Sequence, residues 1–120
     1  MKKSICDYLN DFEECGKIID KASLDGDYKA NNKAFKKTEK IYAIAKNSDE
    51  AENFYLTALK ESSSVSTIIA CCAHMMRLNI QPKLARRKLE KVRKNRNYPA
   101  ILTFDAEMFL EEWDKGNIQK

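Results

Sequence analysis

Apolar residues recur at helical spacing along most of the chain, and short polar segments interrupt them. In the first segment the apolar positions are Ile5, Tyr8, Leu9, Phe12, Cys15 and Ile19. This spacing is typical of an amphipathic helix, which we predict over about residues 3–22. Asp27 follows a turn and is a suitable N-cap for a second helix over about residues 28–46.

The next three segments show the same period with different polarity. The second predicted helix carries a row of apolar and amide side chains, Tyr28, Asn31, Phe35, Thr38 and Tyr42. Ser48 predicts the N-cap of a short third helix that continues to about Leu59. A serine run at 62–64 then precedes a fourth helix over about 65–78, which is the least polar segment of the chain. A helix that is apolar on most sides is usually central in a fold.

The last two predicted helices have opposite charge. The helix over residues 83–96 carries Lys83, Arg86, Arg87, Lys88, Lys91, Arg93, Lys94 and Arg96 against a lone Glu90. The helix over residues 100–116 carries Asp105, Glu107, Glu111, Glu112 and Asp114. Because only a short break at residues 97–99 separates them, we expect the two helices to pack antiparallel. Their apolar positions predict a shared core, with Ala85 and Leu89 on one side and Ala106 and Leu110 on the other.

Composition and length agree with a helical fold. The chain is 43% hydrophobic and 33% charged, and its 3 Gly and 2 Pro offer little of the turn punctuation that many short strands need. Its 120 residues correspond to one domain, residues 1–120. We therefore predict an all-α protein of about six helices. The short links favour stacked antiparallel hairpins, and a helical bundle would give nearly the same pattern.

The N-terminal residues and the cysteines indicate the cellular compartment of the protein. The first residues are basic, but Asp7, Asn10 and Asp11 interrupt any apolar core of signal-peptide length. No apolar segment approaches the length of a membrane-spanning helix. We expect a cytoplasmic protein without a membrane partner, in which the 4 cysteines are reduced.

The sequence Cys71-Cys72-Ala73-His74 resembles a fragment of a metal site or of a nucleophile and base pair. A structural zinc site needs four ligands, and no second pair is spaced to complete the set. A nucleophile and base would need a third orienting group, which the sequence does not provide. We therefore expect core packing for these residues, and we assign no catalytic residue, no metal and no cofactor.

The basic helix is the main candidate for binding nucleic acid. A row of Arg and Lys along one element is the electrostatic signature of such proteins. Tyr98 at its end is the only ring available for stacking on a base. The net charge of +4 is modest. Nucleic-acid binding through residues 83–96 is therefore our alternative, and mutual neutralisation of the two charged helices is the simplest explanation of the pattern.

Two separated motifs resemble a known family. Residues 25–35 read DGDYKANNKAF and residues 100–116 read AILTFDAEMFLEEWDKG. Together they resemble a bacterial family of small helical proteins catalogued as a domain of unknown function. The residues that match the family pattern are Gly26, Asp27, Lys29, Asn32, Phe104, Asp105, Ala106, Glu107, Leu110, Trp113 and Gly116.

The resemblance implies a HEAT-like or armadillo-like helical stack. Members of the family are often encoded beside polymorphic or contact-dependent toxins, where they are similar to immunity proteins. We therefore expect a non-enzymatic protein that binds a cognate toxin and blocks its active site or the approach of its substrate. The charged side chains that we expect to contact the toxin are Arg86, Arg87, Arg93 and Arg96 on the basic side, and Glu107, Glu111, Glu112 and Asp114 on the acidic side. The acidic side would suit a basic nuclease toxin.

Overall fold

The computed structural model describes residues 4–118, and these residues form six α-helices and no β-strand. A short 3-10 helix, Ile5–Tyr8, leads directly into the first α-helix. The α-helices are α1 (Leu9–Asp25), α2 (Tyr28–Lys46), α3 (Ala51–Glu61), α4 (Val65–Arg77), α5 (Pro82–Lys94) and α6 (Ala100–Asp114). The predicted all-α class with six helices is confirmed.

Side-chain caps explain where several helices begin. Asp27 accepts the backbone N–H of Ala30 at 3.1 Å, which confirms it as the N-cap of α2. Ser64 caps α4 in the same way by accepting the N–H of Thr67 at 3.1 Å. The prediction that Ser48 is the N-cap of the third helix is wrong, because α3 begins at Ala51 and its N-cap is Glu50. Ser48 instead accepts the N–H of Glu50 at 3.1 Å, so it stabilises the turn before the helix.

The predicted bounds of the first and fifth helices also change. The first begins as a 3-10 turn and continues to Asp25, and Lys3 lies outside the described residues. The fifth ends at Lys94, so Arg96 lies in the turn that follows it. The backbone of Asn95 is extended, and its side-chain oxygen accepts the N–H of Asn97 at 2.8 Å. This local hydrogen bond competes with continuation of the helix.

The helix α4 is central, as its composition predicts. Its residues Cys71, Cys72 and Met75 are completely buried, and α1, α3, α5 and α6 all pack against it. The helix α2 has a different position, because it packs mainly against α1. The arrangement is compatible both with a stack of helical hairpins and with a helical bundle.

The helices α5 and α6 form the predicted antiparallel hairpin. Arg86 near the start of α5 pairs with Asp114 at the end of α6, and buried Leu89 and Leu110 belong to the common core. Trp113, one of the residues that match the family pattern, is half-buried and stacks on Phe109 with ring centroids 5.8 Å apart. It therefore covers the edge of the core.

Two carboxylates of α1 hold the loop between α3 and α4. Glu13 accepts the hydroxyl of Ser62 at 2.6 Å and the N–H of Ser63 at 3.1 Å. Asp20 accepts the hydroxyl of Ser64 at 2.6 Å and the N–H of Ser66 at 2.9 Å. Desolvation opposes the ionisation of Glu13, but its hydrogen bonds outweigh this effect and lower its pKa. These contacts fix the N-terminus of α4 relative to α1.

Candidate functional site

A groove of about 480 Å³ lies between α2 and α6, and α4 contributes its floor. Asn31, Asn32 and Phe35 line it from α2, while Asp105 and Phe109 line it from α6. Buried Ile69 and His74 and the smaller Ala70 and Ala73 are among the floor residues. The groove exists because α2 packs mainly on α1 and leaves space beside α4 and α6.

A second cavity adjoins the groove towards the N-termini of α2 and α6 and extends it. This extension is lined by Gly26 and Tyr28 on one side and by Ile101 and Phe104 on the other. Asn31 and Asp105 line both parts, so they mark the junction between them. The junction is therefore bordered by an amide from α2 and a carboxylate from α6.

Large apolar side chains along the groove remain accessible to solvent. Tyr28 is 72% exposed, Phe104 is 54% exposed and Phe35 is 45% exposed. Isolated exposed apolar residues are ordinary, whereas several lining one concave surface are typical of binding sites. Tyr28, Phe35 and Phe104 form such a cluster along the groove.

Three charged side chains of the described segment line the groove, and two of them form an ion pair with one another. Arg77 pairs with Glu39 at 3.4 Å, and its guanidinium lies 3.9 Å from the centroid of the Tyr42 ring. These two opposite charges offset one another. Asp105 has no ion pair or hydrogen bond with any residue between 4 and 118, and desolvation raises the pKa of its carboxyl. Within the described residues, 4–118, the groove thus contains one carboxylate without a counter-ion.

A buried polar contact lies beneath the groove floor. The Tyr55 hydroxyl and His74 Nδ1 are 2.8 Å apart, and both side chains are buried. Desolvation, followed by the nearby charge of Arg77, lowers the pKa of His74 to about 3, and desolvation raises the pKa of Tyr55. His74 is therefore neutral at physiological pH. Phe12 and Tyr42 pack against its ring, with centroids 5.7 and 4.9 Å away.

Cys71 and His74 serve the core rather than a reactive site. Cys71 is completely buried, its thiol donates to the carbonyl of Tyr55 at 3.1 Å, and burial raises its pKa well above the ordinary value. A reactive thiol needs the opposite conditions, namely exposure and a lowered pKa. The core packing expected from the sequence is what these two residues do.

The structure brings together only part of the predicted contact residues. Arg86 donates to both carboxylate oxygens of Asp114, at 2.8 and 2.9 Å. This hydrogen-bonded pair lowers the pKa of Asp114. Arg93 pairs with Glu90 at 2.6 Å. Glu112 accepts from Asn117 at 2.7 Å and lies 3.8 Å from Lys115. These predicted residues thus already have partners within the chain.

The other predicted contact residues remain available. Arg87, Arg96, Glu107 and Glu111 are exposed, and none forms an ion pair with another residue of the described segment. A cleft of about 580 Å³ at the turn between α5 and α6 is lined by Arg93, Lys94, Arg96 and Tyr98, among others. The ring of Tyr98 thus lies beside three cationic side chains, as the nucleic-acid alternative requires.

The groove itself was not predicted from the sequence. Its two walls come from the segments that carry the family resemblance, residues 25–35 and 100–116, which face one another across it. One signal was present: Ile101 and Phe104 lie outside the α6 seam of Leu102, Ala106 and Leu110. Apolar residues beside a complete seam indicate a second apolar surface.

Two further properties concern the described segment, residues 4–118. None of its helices has both the length and the apolar character that crossing a membrane requires. Its His, Cys, Asp and Glu side chains form no group of three or more that could hold a metal ion.

Comparison of the sequence with protein-family profiles and with curated proteins, and of the structure with solved structures, found no match.

Proposed function

We propose that this chain is a cytoplasmic, non-enzymatic immunity protein that binds a cognate bacterial toxin. Binding would block the active site of the toxin or the approach of its substrate. The class of partner comes from the resemblance carried by residues 25–35 and 100–116. The following structural observations support a binding role for those segments.

The observation that carries the proposal is the groove between α2 and α6. Both segments contribute exposed aromatic side chains to it, including Phe35 from α2 and Phe104 from α6. Aromatic anchors in concave, desolvated pockets supply much of the affinity of protein interfaces. A role limited to fixing the fold would not explain why these rings remain open to solvent.

The charged helices support fast recognition. Arg87 and Arg96 on one side and Glu107 and Glu111 on the other are exposed and free of ion pairs within the described chain. Such charges steer association and select partners more than they add affinity. A groove on a well-packed helical scaffold would then provide the slow dissociation that inhibition of a toxin requires.

The test is capture of the partner followed by a growth assay. The tagged chain is used as bait in a lysate of its native bacterium, treated with nuclease and washed at high salt. The captured protein is identified by mass spectrometry and expressed alone in a host cell. We expect growth arrest, and we expect growth to return when this chain is co-expressed with it.

Charge-reversal variants then identify the contacting side. The matched pair is Arg87→Glu with Arg96→Glu, and Glu107→Lys with Glu111→Lys, because all four side chains are exposed and form no ion pair within residues 4–118. Loss of protection by only one double variant assigns the steering surface to that side. A captured protein that does not arrest growth, or whose toxicity this chain does not relieve, would overturn the immunity proposal.

One observation favours the second candidate, nucleic-acid binding. The cleft after α5 combines Arg93, Lys94 and Arg96 with the ring of Tyr98. Cations that contact phosphates beside a ring that stacks on a base are typical of single-strand binding. Binding of a single-stranded oligonucleotide that weakens steeply with salt, and that Arg96→Glu and Tyr98→Ala each reduce, would support this function.

A further inference from the structure

We propose that the junction of the groove anchors a basic side chain, Lys or Arg, from an apolar segment of the partner protein, with the Asp105 carboxylate as its counter-ion. This inference deepens the proposed function by stating the chemistry of the contact. It depends on the proposed function in one respect, namely that the partner is a toxin. The anchor itself follows from the residues at the junction.

The first step concerns the charge of Asp105. No cationic side chain among residues 4–118 pairs with it, although the same chain pairs Asp114 with Arg86 and Glu39 with Arg77. Asp105 is exposed at the junction, and desolvation by its surroundings raises the pKa of its carboxyl. An ionised carboxylate in such a place is stabilised when an opposite charge comes within about 4 Å.

The second step concerns hydrogen bonding. Asn31, which lines the junction opposite Asp105, donates its Nδ2 to Ser23 Oγ at 2.9 Å. Its side-chain oxygen therefore retains its capacity to accept a hydrogen bond. Carboxylate and amide oxygens at one junction both require donors. The ammonium group of Lys and the guanidinium of Arg provide several N–H donors together with the required charge.

The third step concerns the apolar surroundings. Tyr28 and Phe104 lie on one side of the junction, and Phe35 and Phe109 lie on the other. Long basic side chains bury their aliphatic stems on apolar surface and place the cation against aromatic rings. The rings can also pack against apolar residues that flank the basic residue in the partner segment. The junction therefore favours a cation carried by a protein segment.

The fourth step concerns the sign of the groove charge. Among residues 4–118, Glu39 and Arg77 line the groove as an ion pair, and Asp105 adds one further negative charge to this lining. An anionic or phosphorylated segment would place like charges together and leave Asp105 without compensation. A basic segment is the occupant for which charge, hydrogen bonding and apolar surface are all complementary.

The experiment uses the full chain, labelled with ¹⁵N, and defined peptides as probes. Acetyl-Leu-Arg-Phe-amide and acetyl-Leu-Lys-Phe-amide are titrated to about 10 mM, with acetyl-Leu-Gln-Phe-amide as the uncharged control. We expect shifts of the amide signals of Asn31, Phe35 and Asp105 with the basic peptides, and none at Glu111. Asp105→Asn should weaken binding by about tenfold, whereas Glu14→Gln, at an exposed position on α1, should leave it unchanged.

Three results would overturn the inference. The first is an absence of shifts at the groove with either basic peptide, and the second is equal binding of the glutamine peptide. The third is equally tight binding of free propylguanidinium, which would indicate a site for small cations. Each leaves the capture assay for the toxin unaffected. Failure of that capture with intact peptide binding would instead overturn the toxin as partner and keep the basic segment.

Discussion

The backbone of Gly16 on α1 lies directly against Thr67 on α4. A Cβ atom at position 16 would fall 2.7 Å from both the backbone nitrogen and the Cβ of Thr67, and closer still to its Oγ1. Glycine inside a helix usually weakens it, by about 0.5–1 kcal/mol relative to alanine. Here its absent side chain permits the close approach of two helices that Glu13 and Asp20 also hold together.

Gly16→Ala should therefore destabilise the protein despite the higher helix propensity of alanine. The clash includes backbone atoms that a rotamer change cannot move, so we expect a loss of about 3 kcal/mol in the free energy of unfolding. Urea denaturation followed by circular dichroism measures it. Lys17→Ala, at the next and exposed position, is the control and should change stability by less than about 0.5 kcal/mol. A stabilised Gly16→Ala variant would show that α1 and α4 are not in contact here.

Two buried tyrosines should respond differently to loss of the hydroxyl. Tyr55→Phe leaves His74 Nδ1 without its partner at 2.8 Å and should cost about 1–3 kcal/mol. The Tyr42 hydroxyl is buried and has no partner among residues 4–118. Tyr42→Phe should therefore be neutral or stabilising in the same unfolding assay. Similar losses for both variants would mean that the hydroxyl of Tyr42 is also hydrogen-bonded.

Stability should fall as the pH is lowered from about 6.5, because of His74. Its pKa is about 3 in the fold and about 6.5 when unfolded. Between these values the unfolded chain binds a proton that the folded chain does not, so stability falls by up to about 1.4 kcal/mol per pH unit. The rings of Phe12, Tyr42 and Tyr55 surround His74, and the positive charge of Arg77 lies near it.

Urea unfolding of the wild type and of His74→Gln at about pH 7, 6 and 5 tests this expectation. Glutamine can still hydrogen-bond Tyr55, but it does not titrate, so the variant should have a flatter profile. The comparison stops at about pH 5, because carboxylates such as Glu13, whose pKa is lowered, lose their contribution at lower pH. Parallel profiles of the two proteins would contradict a neutral, buried His74.

Asp20→Asn should weaken the loop between α3 and α4. The substitution removes the charge that strengthens the hydrogen bonds from Ser64 and from the N–H of Ser66, and we expect a loss of about 1–2 kcal/mol. The melting temperature measures it. Glu14→Gln is the matched control, since Glu14 is exposed and lies 3.9 Å from Lys17 in a surface ion pair of little value. Equal melting temperatures for Asp20→Asn and the wild type would exclude this role.

Asp105→Asn should stabilise the fold while it weakens binding to the groove. Because the folded-state pKa of Asp105 is raised, the ionised form opposes folding at neutral pH, and the opposition disappears as pH falls through that pKa. We expect a higher melting temperature at about pH 7 and no gain for Glu107→Gln. A decrease for Asp105→Asn would show that the carboxylate contributes to folding.

Hydrophobic periodicity predicted much of the fold for identifiable reasons. The seam of Ala85 and Leu89 against Ala106 and Leu110 follows from spacing within two adjacent helices, and so does the apolar character of α4. Caps were less predictable. Asp27 and Ser48 are equivalent as sequence signals, but the turn at residues 47–50 places Ser48 too early to cap α3.

The groove and the loop contacts depend on how distant helices cross, which periodicity does not contain. Tyr28, Phe35 and Tyr42 belong to one helical row, yet Tyr42 is buried against His74 while Tyr28 and Phe35 line an open groove. The contacts of Glu13 and Asp20 were not predicted, because their partners lie more than forty residues away along the chain. Charge alone predicted contact residues on α5 and α6 and offered mutual neutralisation of the two helices, but it did not identify the pair of Arg86 and Asp114.

The N-terminal half of α2 packs on α1 through Ala34, whereas Ile41 and Ala45 of its C-terminal half belong to the central core. A shift of the N-terminal half would alter the contact of Ala34 with Cys15 and Ile19, while Leu89 of α5 and Leu110 of α6 would stay in the core with α4. The width of the groove is therefore the dimension of the fold that can change with the least disturbance of the core. An occupant that touches α2 and α6 together would add a second support to α2, so its binding and the local stability of that helix would rise together.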